Sequence, residues 1–593
     1  MENKMEKDWT WSLKELYDGF ESPAFKQDME DAKKEIARIK IWAAENFSSR
    51  NNALGKIEEY IRIIQGMEKY YKIGAFCRLS VSVNSENAAA VKNQDMFQQI
   101  MSDIRLPQVM FEKFVSQTAE LDDFISKSAL IKEHSFILKE IQTQAKYMLS
   151  EKEEALLVKM RNTGSAAWNI TKEQLTSTME VKVLVDGEEK TMSLSMARNL
   201  AKDENAGVRE AAYKGELESY KQVDKAVAGA LNAIKGEVIT VAKLRGYESP
   251  LEMTVKESRM DMETLNAMLS AMKEFLPVFH GYFRKKAEIL GYKNGLPWHG
   301  IMAPVGSVSM KFTIEEAADY IVKNFNDFSE ELGGFARHAF DMRWMDIFPR
   351  SGKQGGAFCS GLPELRQCRI LSNFDGSFDA MLTLAHELGH GYHGLCLKDA
   401  SVLNMHYPMP LAETASTFCE TLVARAALKT ASPEEAYIIR ENDIAGNAQI
   451  IVDIYSRFLF EDEVFRRREK GSLSVKELNE LMVECQKQAY GEGIDHNCLN
   501  PGMWINKPHY YYAARNYYNF PYAYGQLFSL GLFARYLEEG KLFLPKYKSL
   551  LATTGMNDLA AVGKLVDINV RDKTFWMQSL KVIEGEIKEF IKK

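Results

Sequence analysis

Residues 385–396 read AHELGHGYHGLC and hold three of the chain's ten histidines within eight positions. His386 and His390 are one helical turn apart, so on a helix their imidazoles leave the same face and can meet at one cation, the nitrogen ligation that zinc favours. Glu387 lies beside them. In an H-E-x-x-H arrangement that carboxylate is placed to take a proton from a water molecule whose pKa zinc lowers towards about 7. His393 shares the polar face, yet a rise of 1.5 Å per residue puts it about 10.5 Å along the axis from His386. One ion hardly serves all three, and His393 is expected behind the ligands or in packing.

The third ligand must come from elsewhere. The metzincin pattern H-E-x-x-H-x-x-G-x-x-H fails, because His393 stands at its glycine position and Cys396 at its last histidine. Downstream candidates are Asp399, His406, Glu413 and Glu420. Asp399 follows too closely for the chain to turn and return, and His406 lies in NMHYPMPL, where prolines break the helix. LAETASTFCETLVARAAL then starts a fresh helix with Glu413 in its first turn and Glu420 seven residues on. Glu413 is therefore the expected ligand. Glu420 is expected to hydrogen-bond a ligating histidine, with Asp379 and His393 as further second-layer residues on the polar face. Two histidines and one glutamate leave a fourth position open, the catalytic rather than the structural form of a zinc site.

These side chains need a rigid carrier. Ser377 reads as an N-cap, and Phe378, Met381, Ala385, Leu388, Tyr392 and Leu395 form an apolar seam one residue away from the polar stripe. Ahead of this helix come a glycine-rich loop, RSGKQGGAFCSGLPELRQ, and a strand-like run, CRILSNF. Most of the remaining chain has helical periodicity, as in FKQDMEDAKKEIARIKIWAAENF and SMARNLAKDENAGVREAAYKGELESYKQV. The alternating valines of MEVKVLVDGEEKTMSLS, around Asp186-Gly187, predict a hairpin and a hinge between halves. Punctuation also thickens over 291–311.

The chain has 593 residues, 46% of them hydrophobic and 26% charged, with a net charge of −7. This is soluble, globular composition with no global positive field for nucleic acid or anionic membrane. The charged N-terminus lacks a signal-peptide core, and no run reaches the length of a membrane span. Seven scattered cysteines without a C-x-x-C pair read as reduced thiols of a cytoplasmic protein.

Far downstream, residues 509–524 (HYYYAARNYYNFPYAY) contain seven of the chain's 25 tyrosines. Phenolic and imidazole N–H or O–H groups can stabilise the oxyanion formed in peptide hydrolysis. Such donors are expected within this segment.

FDGSFDAMLTLAHELGHGYHGLC, LAETASTFCE and the HYYY…YYNFPYAYG segment together resemble the thimet oligopeptidase and oligoendopeptidase F group of zinc metallopeptidases. The resemblance extends from WSLKELYDGFESPAFKQDM through LRGYESPLEM and is strongest from about residue 350. It implies a mainly α, zincin-like helical ellipsoid of two halves around a deep channel, with a small β-sheet beside the active-site helix. It also implies one zinc ion on His386, His390 and Glu413, with Glu387 as general base, and oxyanion donors at His509 and Tyr522, then Tyr518 and Tyr511. A helical N-terminal domain over 1–195 would cover the channel, and residues 196–593 would form the catalytic domain. CRILSNF would be a sheet edge holding extended peptide, and the glycines of GKQGGAF would allow close approach or loop movement.

The expected activity is endopeptidase cleavage of short oligopeptides by a monomer or small homo-oligomer. A carboxypeptidase or dipeptidyl carboxypeptidase on a related fold is the enzymatic alternative. A peptide-binding protein retaining the fold is the non-enzymatic one.

Overall fold

The computed structural model describes residues 8–185, 187–306 and 310–592. Helix dominates, and the periodicity shows why. In Pro23–Asn46 the buried positions are Phe25, Met29, Ala32, Ile36, Ile39 and Ala43, a stripe at steps of three and four, and the Ser22 hydroxyl caps the start at Phe25 N. The stretch 195–223, expected as continuous helix, is instead broken. Leu194–Asn199 and a 3-10 turn stop at Asp203, and Ala206–Tyr220 restarts under an Asn205 cap. Asp203 and Asn205 bond nearby backbone N–H groups, which competes with helix propagation.

The described residues contain five strands: β1 (Glu180–Val185), β2 (Glu188–Ser193), β3 (Met345–Asp346), β4 (Phe358–Leu362) and β5 (Gln367–Leu371). β1 and β2 form the expected antiparallel hairpin. Asp186 of its turn lies outside the described residues, as do residues 307–309 of the punctuated 291–311 stretch. The other three strands form one sheet in the order β3-β5-β4, with β3 parallel and β4 antiparallel to β5.

That order corrects one expectation. CRILSNF supplies β5, the interior strand, whose residues Cys368–Leu371 are all buried. The edge is β4, which the loop with Gly352 and Gly356 in left-handed conformation (φ +77° and +78°) delivers.

Packing divides the chain into two compact units, each made of three segments: 1–146, 310–426 and 535–566 in unit 1, and 147–309, 427–534 and 567–593 in unit 2. Packing and the linear division at residue 195 thus partition the chain by different criteria. The hairpin lies inside unit 2 rather than at a junction, with Val181 and Val183 fully buried in that unit's core beside Val227, Leu231, Phe460 and Trp504. In unit 1 the N-terminal helices contribute Phe25, Ile36, Ile57, Ile73 and Phe114 to a core that Leu362 of β4 and Leu371 of β5 join. The N-terminal helices thereby anchor the sheet that flanks the H-E-x-x-H helix.

Candidate active site

The H-E-x-x-H helix spans Phe378–Cys396, with the Ser377 hydroxyl accepting from Ala380 N at 3.2 Å. Of the expected seam, Phe378, Met381, Ala385, Leu388 and Tyr392 are buried and Leu395 is half-buried. The chain then turns through Pro408 and Pro410, makes one helical turn (Met409–Ala412), and enters a return helix, Thr414–Thr430, with Glu413 just before its first residue. A Cβ built on Gly389 would sit 2.6 Å from both the Ala415 carbonyl oxygen and the Ser416 Cα. Only glycine allows the return helix this close. The residue between the two histidines thus sets how near Glu413 can come.

His386 Nε2 lies 3.1 Å and His390 Nε2 3.5 Å from the same oxygen, Glu413 Oε2. The three ligand atoms all fall within 4.8 Å of one another. Ser416 Oγ donates to that carboxylate oxygen at 2.8 Å. On the far side, His386 Nδ1 is 3.1 Å from Glu420 Oε2, within hydrogen-bonding distance. His390 hydrogen-bonds the Ala412 backbone.

Burial opposes charge on His386, but the hydrogen bonds of Glu413 and Glu420 hold its pKa up at about 10. Against the same burial, His386 and His390 hold Glu413 down at about 2, while burial keeps His390 neutral, at about 4. Two imidazole nitrogens and one carboxylate oxygen suit zinc in number and type.

Glu387 is 6% exposed. Burial pushes its carboxyl up to about 7, with His386 opposing and Glu413 adding to the rise. It accepts from the Cys359 backbone amide of β4, and its Oε2 has no hydrogen-bond partner among the described residues. A cavity of about 500 Å³ opens onto His386, Glu387, His390 and Glu413, walled by the β4 edge and Tyr407.

His393 does not touch the ligand rings. Its Nε2 meets Thr554 Oγ1 at 2.9 Å and its ring stacks at 4.3 Å behind Tyr407, which lines the cavity. Asp379 is exposed in the helix's first turn, about 10.5 Å along the axis from His386, where its charge favours the helix dipole.

The other expected donors lie in unit 2. His509, Tyr518 and Tyr522 are half-buried and form one ring cluster, with centroid separations of 5.4, 6.3 and 5.5 Å. Burial, helped by Arg457, Lys507 and Lys172, lowers His509 to about 4, so it is a neutral imidazole at neutral pH. Tyr511 stands apart: it is fully buried and its hydroxyl donates to the Trp504 carbonyl at 3.0 Å. Tyr512, which the sequence reading passed over, joins the cluster 6.3 Å from His509. Tyr407 and the β4 edge were also missed. The prolines flanking Tyr407 marked only a break, and nothing local distinguishes an edge strand from an interior one.

The sheet-flanked helix with its convergent H-E-x-x-H and glutamate defines a metallopeptidase-like site. The profile of Peptidase family M3 matches residues 199–582 and that of Oligopeptidase F residues 117–180; the chain belongs to Peptidase family M3. Oligopeptidase PepF of Bacillus subtilis is 26% identical over 444 residues, 73% of this chain and 65% of the relative. A plasmid-borne oligoendopeptidase F of Lactococcus lactis subsp. cremoris is 28% identical over 330 residues, 55% of this chain and 54% of the relative. The matched regions thus span about two thirds and about half of those proteins. Among solved structures, oligoendopeptidase-F from Enterococcus faecium superposes with a TM-score of 0.67 at 17% identity, covering 96% of this chain and 98% of the other. A crystal structure from Chlamydophila abortus does so with 0.85 at 19% identity, covering 99% of each. At these identities the likeness concerns the fold.

Proposed function

We propose that the chain is a zinc endopeptidase that hydrolyses short, unstructured oligopeptides. The observation that carries this reading is the pairing of a convergent His386/His390/Glu413 set with a buried carboxylate, Glu387, whose Oε2 is unengaged and whose pKa lies near neutrality. Zinc held by those three residues would supply Lewis acidity, polarising the scissile carbonyl and acidifying water.

The chain's own residues do the rest. Glu387 Oε2 takes a proton from the attacking water and delivers it to the leaving amine nitrogen, a role for which its burial, by raising its proton affinity, suits it. Glu420 holds His386 in one tautomer. Apart from the Cys359 amide, which Glu387 engages, the β4 edge offers backbone groups to extended peptide. His509, Tyr522 and Tyr518 are assigned as oxyanion donors on their chemistry and partial exposure; Tyr511 is the weakest candidate, its hydroxyl being committed to Trp504.

Residues 1–195 as a helical N-terminal domain, residues 196–593 as the catalytic one, and a cytoplasmic setting for the seven free thiols belong to the same reading.

The decisive experiment is Glu387→Gln, assayed for zinc content and for cleavage of an internally quenched peptide of about ten residues. Zinc should stay at one per chain while the rate falls about 10²–10⁴-fold. Cleavage unchanged by the substitution would sink the assignment. A C-terminally amidated substrate separates the alternatives, since an endopeptidase cuts it and a carboxypeptidase leaves it intact.

A further inference from the structure

A second cavity, of about 410 Å³, lies wholly within unit 2 and involves none of the residues assigned above. Its walls are of two kinds. Ala212, Ala445, Trp298 and Met302 give an apolar lining, while Arg198, Lys202, Arg209 and Lys507 face two carboxylates, Glu216 and Asp453. Both carboxylates are already matched. Asp453 pairs with Arg457 and accepts from Tyr490 at 3.4 Å. Glu216 accepts from the Tyr220 hydroxyl, from Asn506 at 3.2 Å and Asn500 at 3.4 Å, and lies 3.5 Å from Arg198.

Cationic and N–H groups are left over. Arg209 is 3% exposed; its Nη1 donates to the carbonyls of Asp203 and Glu204 at 2.7 and 2.9 Å, but its Nε has no acceptor and the guanidinium no carboxylate among the described residues. His299 is 8% exposed and its Nδ1 has no partner among the described residues. Lys507 is half-buried and makes no ion pair among the described residues. Burial lowers its pKa to about 8, and the nearby Asp453 is offset by Arg457 and Arg198. Buried N–H groups and charges left without protein partners are costly, and each calls for a water, an ion or a ligand to supply the missing acceptor. One wall of the cavity is a π-helical turn, Gln449–Asp453, a distortion that recurs at functional sites.

We infer that this cavity is a binding site for a small organic carboxylate, whose charge is answered by Arg209 and Lys507 and whose aliphatic part lies on the alanine and methionine walls. Its volume suits one or two residues' worth of ligand. The apolar lining favours an organic acid over a bare inorganic anion. Carboxylate capture stands by itself; identifying the carboxylate as the end of a peptide rests on the peptidase reading.

The test is calorimetric titration of the full chain, stripped of metal with a chelator so that no hydrolysis enters. The probes are N-acetyl-leucine, N-acetyl-leucinamide, Gly-Gly-Leu and inorganic phosphate. The free acid should bind at one per chain, at least tenfold tighter than the amide. Arg209→Met and Lys507→Met should each weaken it at least tenfold, while His386→Ala leaves it unchanged. Lys507 is the less buried of the two, so its variant keeps the test sound if Arg209→Met does not fold. A tenfold preference for Gly-Gly-Leu over N-acetyl-leucine assigns the peptide end, and equal affinity assigns a free carboxylate; either supports the site. Equal binding of acid and amide, binding of phosphate alone, absence of binding, or acid binding indifferent to Lys507→Met would overturn it. Because peptide cleavage is measured separately on the zinc-loaded chain, failure of either proposal leaves the other visible.

Discussion

Lys235 with Glu461 in unit 2, and Glu413 with His386 and His390 in unit 1, are both carboxylate-centred clusters withdrawn from bulk water. They differ in what is left over. Lys235 and Glu461 are at most 1% exposed and 2.6 Å apart. Lys235 also donates to Asn516 at 3.2 Å, and Glu461 accepts from Tyr517 N and Asn519 Nδ2, both at 3.0 Å. That cluster is internally complete. At Glu413, two imidazole nitrogens and a hydroxyl converge on one oxygen, the side chains keep about a quarter of their exposure, and Glu387 beside them has an unengaged oxygen. Completeness marks a group that holds the fold; surplus valence facing a cavity marks one poised for a ligand.

This contrast can be broken most sharply at the closed cluster. Lys235→Met should cost about 3–5 kcal/mol in urea unfolding, because it strands a buried carboxylate. Adding Glu461→Leu should restore much of the loss. A single variant as stable as the parent would mean that the cluster is not structural.

Gly389→Ala is next. Its methyl group meets the return helix at 2.6 Å, so stability should fall by about 1–3 kcal/mol, and zinc should bind more weakly as Glu413 is pushed off. Unchanged zinc affinity would remove the spacing role given to this glycine.

Glu420→Gln should act on the open cluster alone, lowering zinc affinity about 10–100-fold with little change in the unfolding curve. A large loss of stability there would blur the distinction.

The smallest effect concerns pH. Burial lowers His393 to about 3, against about 6.5 in the unfolded chain. As pH falls below 6.5 the unfolded chain takes up the proton first. Stability present above that point is therefore lost progressively towards pH 3, by about 1.4 kcal/mol between pH 7.5 and 5.5. His393→Gln should be less stable at neutral pH but flatter by that amount over the window, as thermal unfolding at the two pH values would read.

Local chemistry was legible in the sequence. The i, i+4 histidines, the Ser377 cap, the apolar seam and the carboxylate after a proline break are all encoded within a few turns of one another, and backbone geometry alone relates them. What escaped was decided by distant partners. Strand order depends on which segment pairs on the far side, so CRILSNF looked like an edge. The tyrosines of 509–524 are alike in sequence, and only burial separates Tyr511, bonded inward to Trp504, from Tyr518 and Tyr522. Asp203 and Asn205 interrupted a helix whose apolar periodicity appeared continuous. The interleaving of segments in each unit has no sequence signature.

Because His386, Glu387 and His390 ride on one helix while Glu413 arrives across a contact with no side chain between, two properties of the site are mechanically separable. The proposed base and the first two proposed ligands share one helix. The position of the proposed third ligand is a single interhelical distance. A perturbation that spreads the two helices, such as an added methyl group or altered packing of the return helix, should loosen the metal while leaving the base and its two histidines in register. Metal occupancy and proton-transfer geometry are then tunable one at a time.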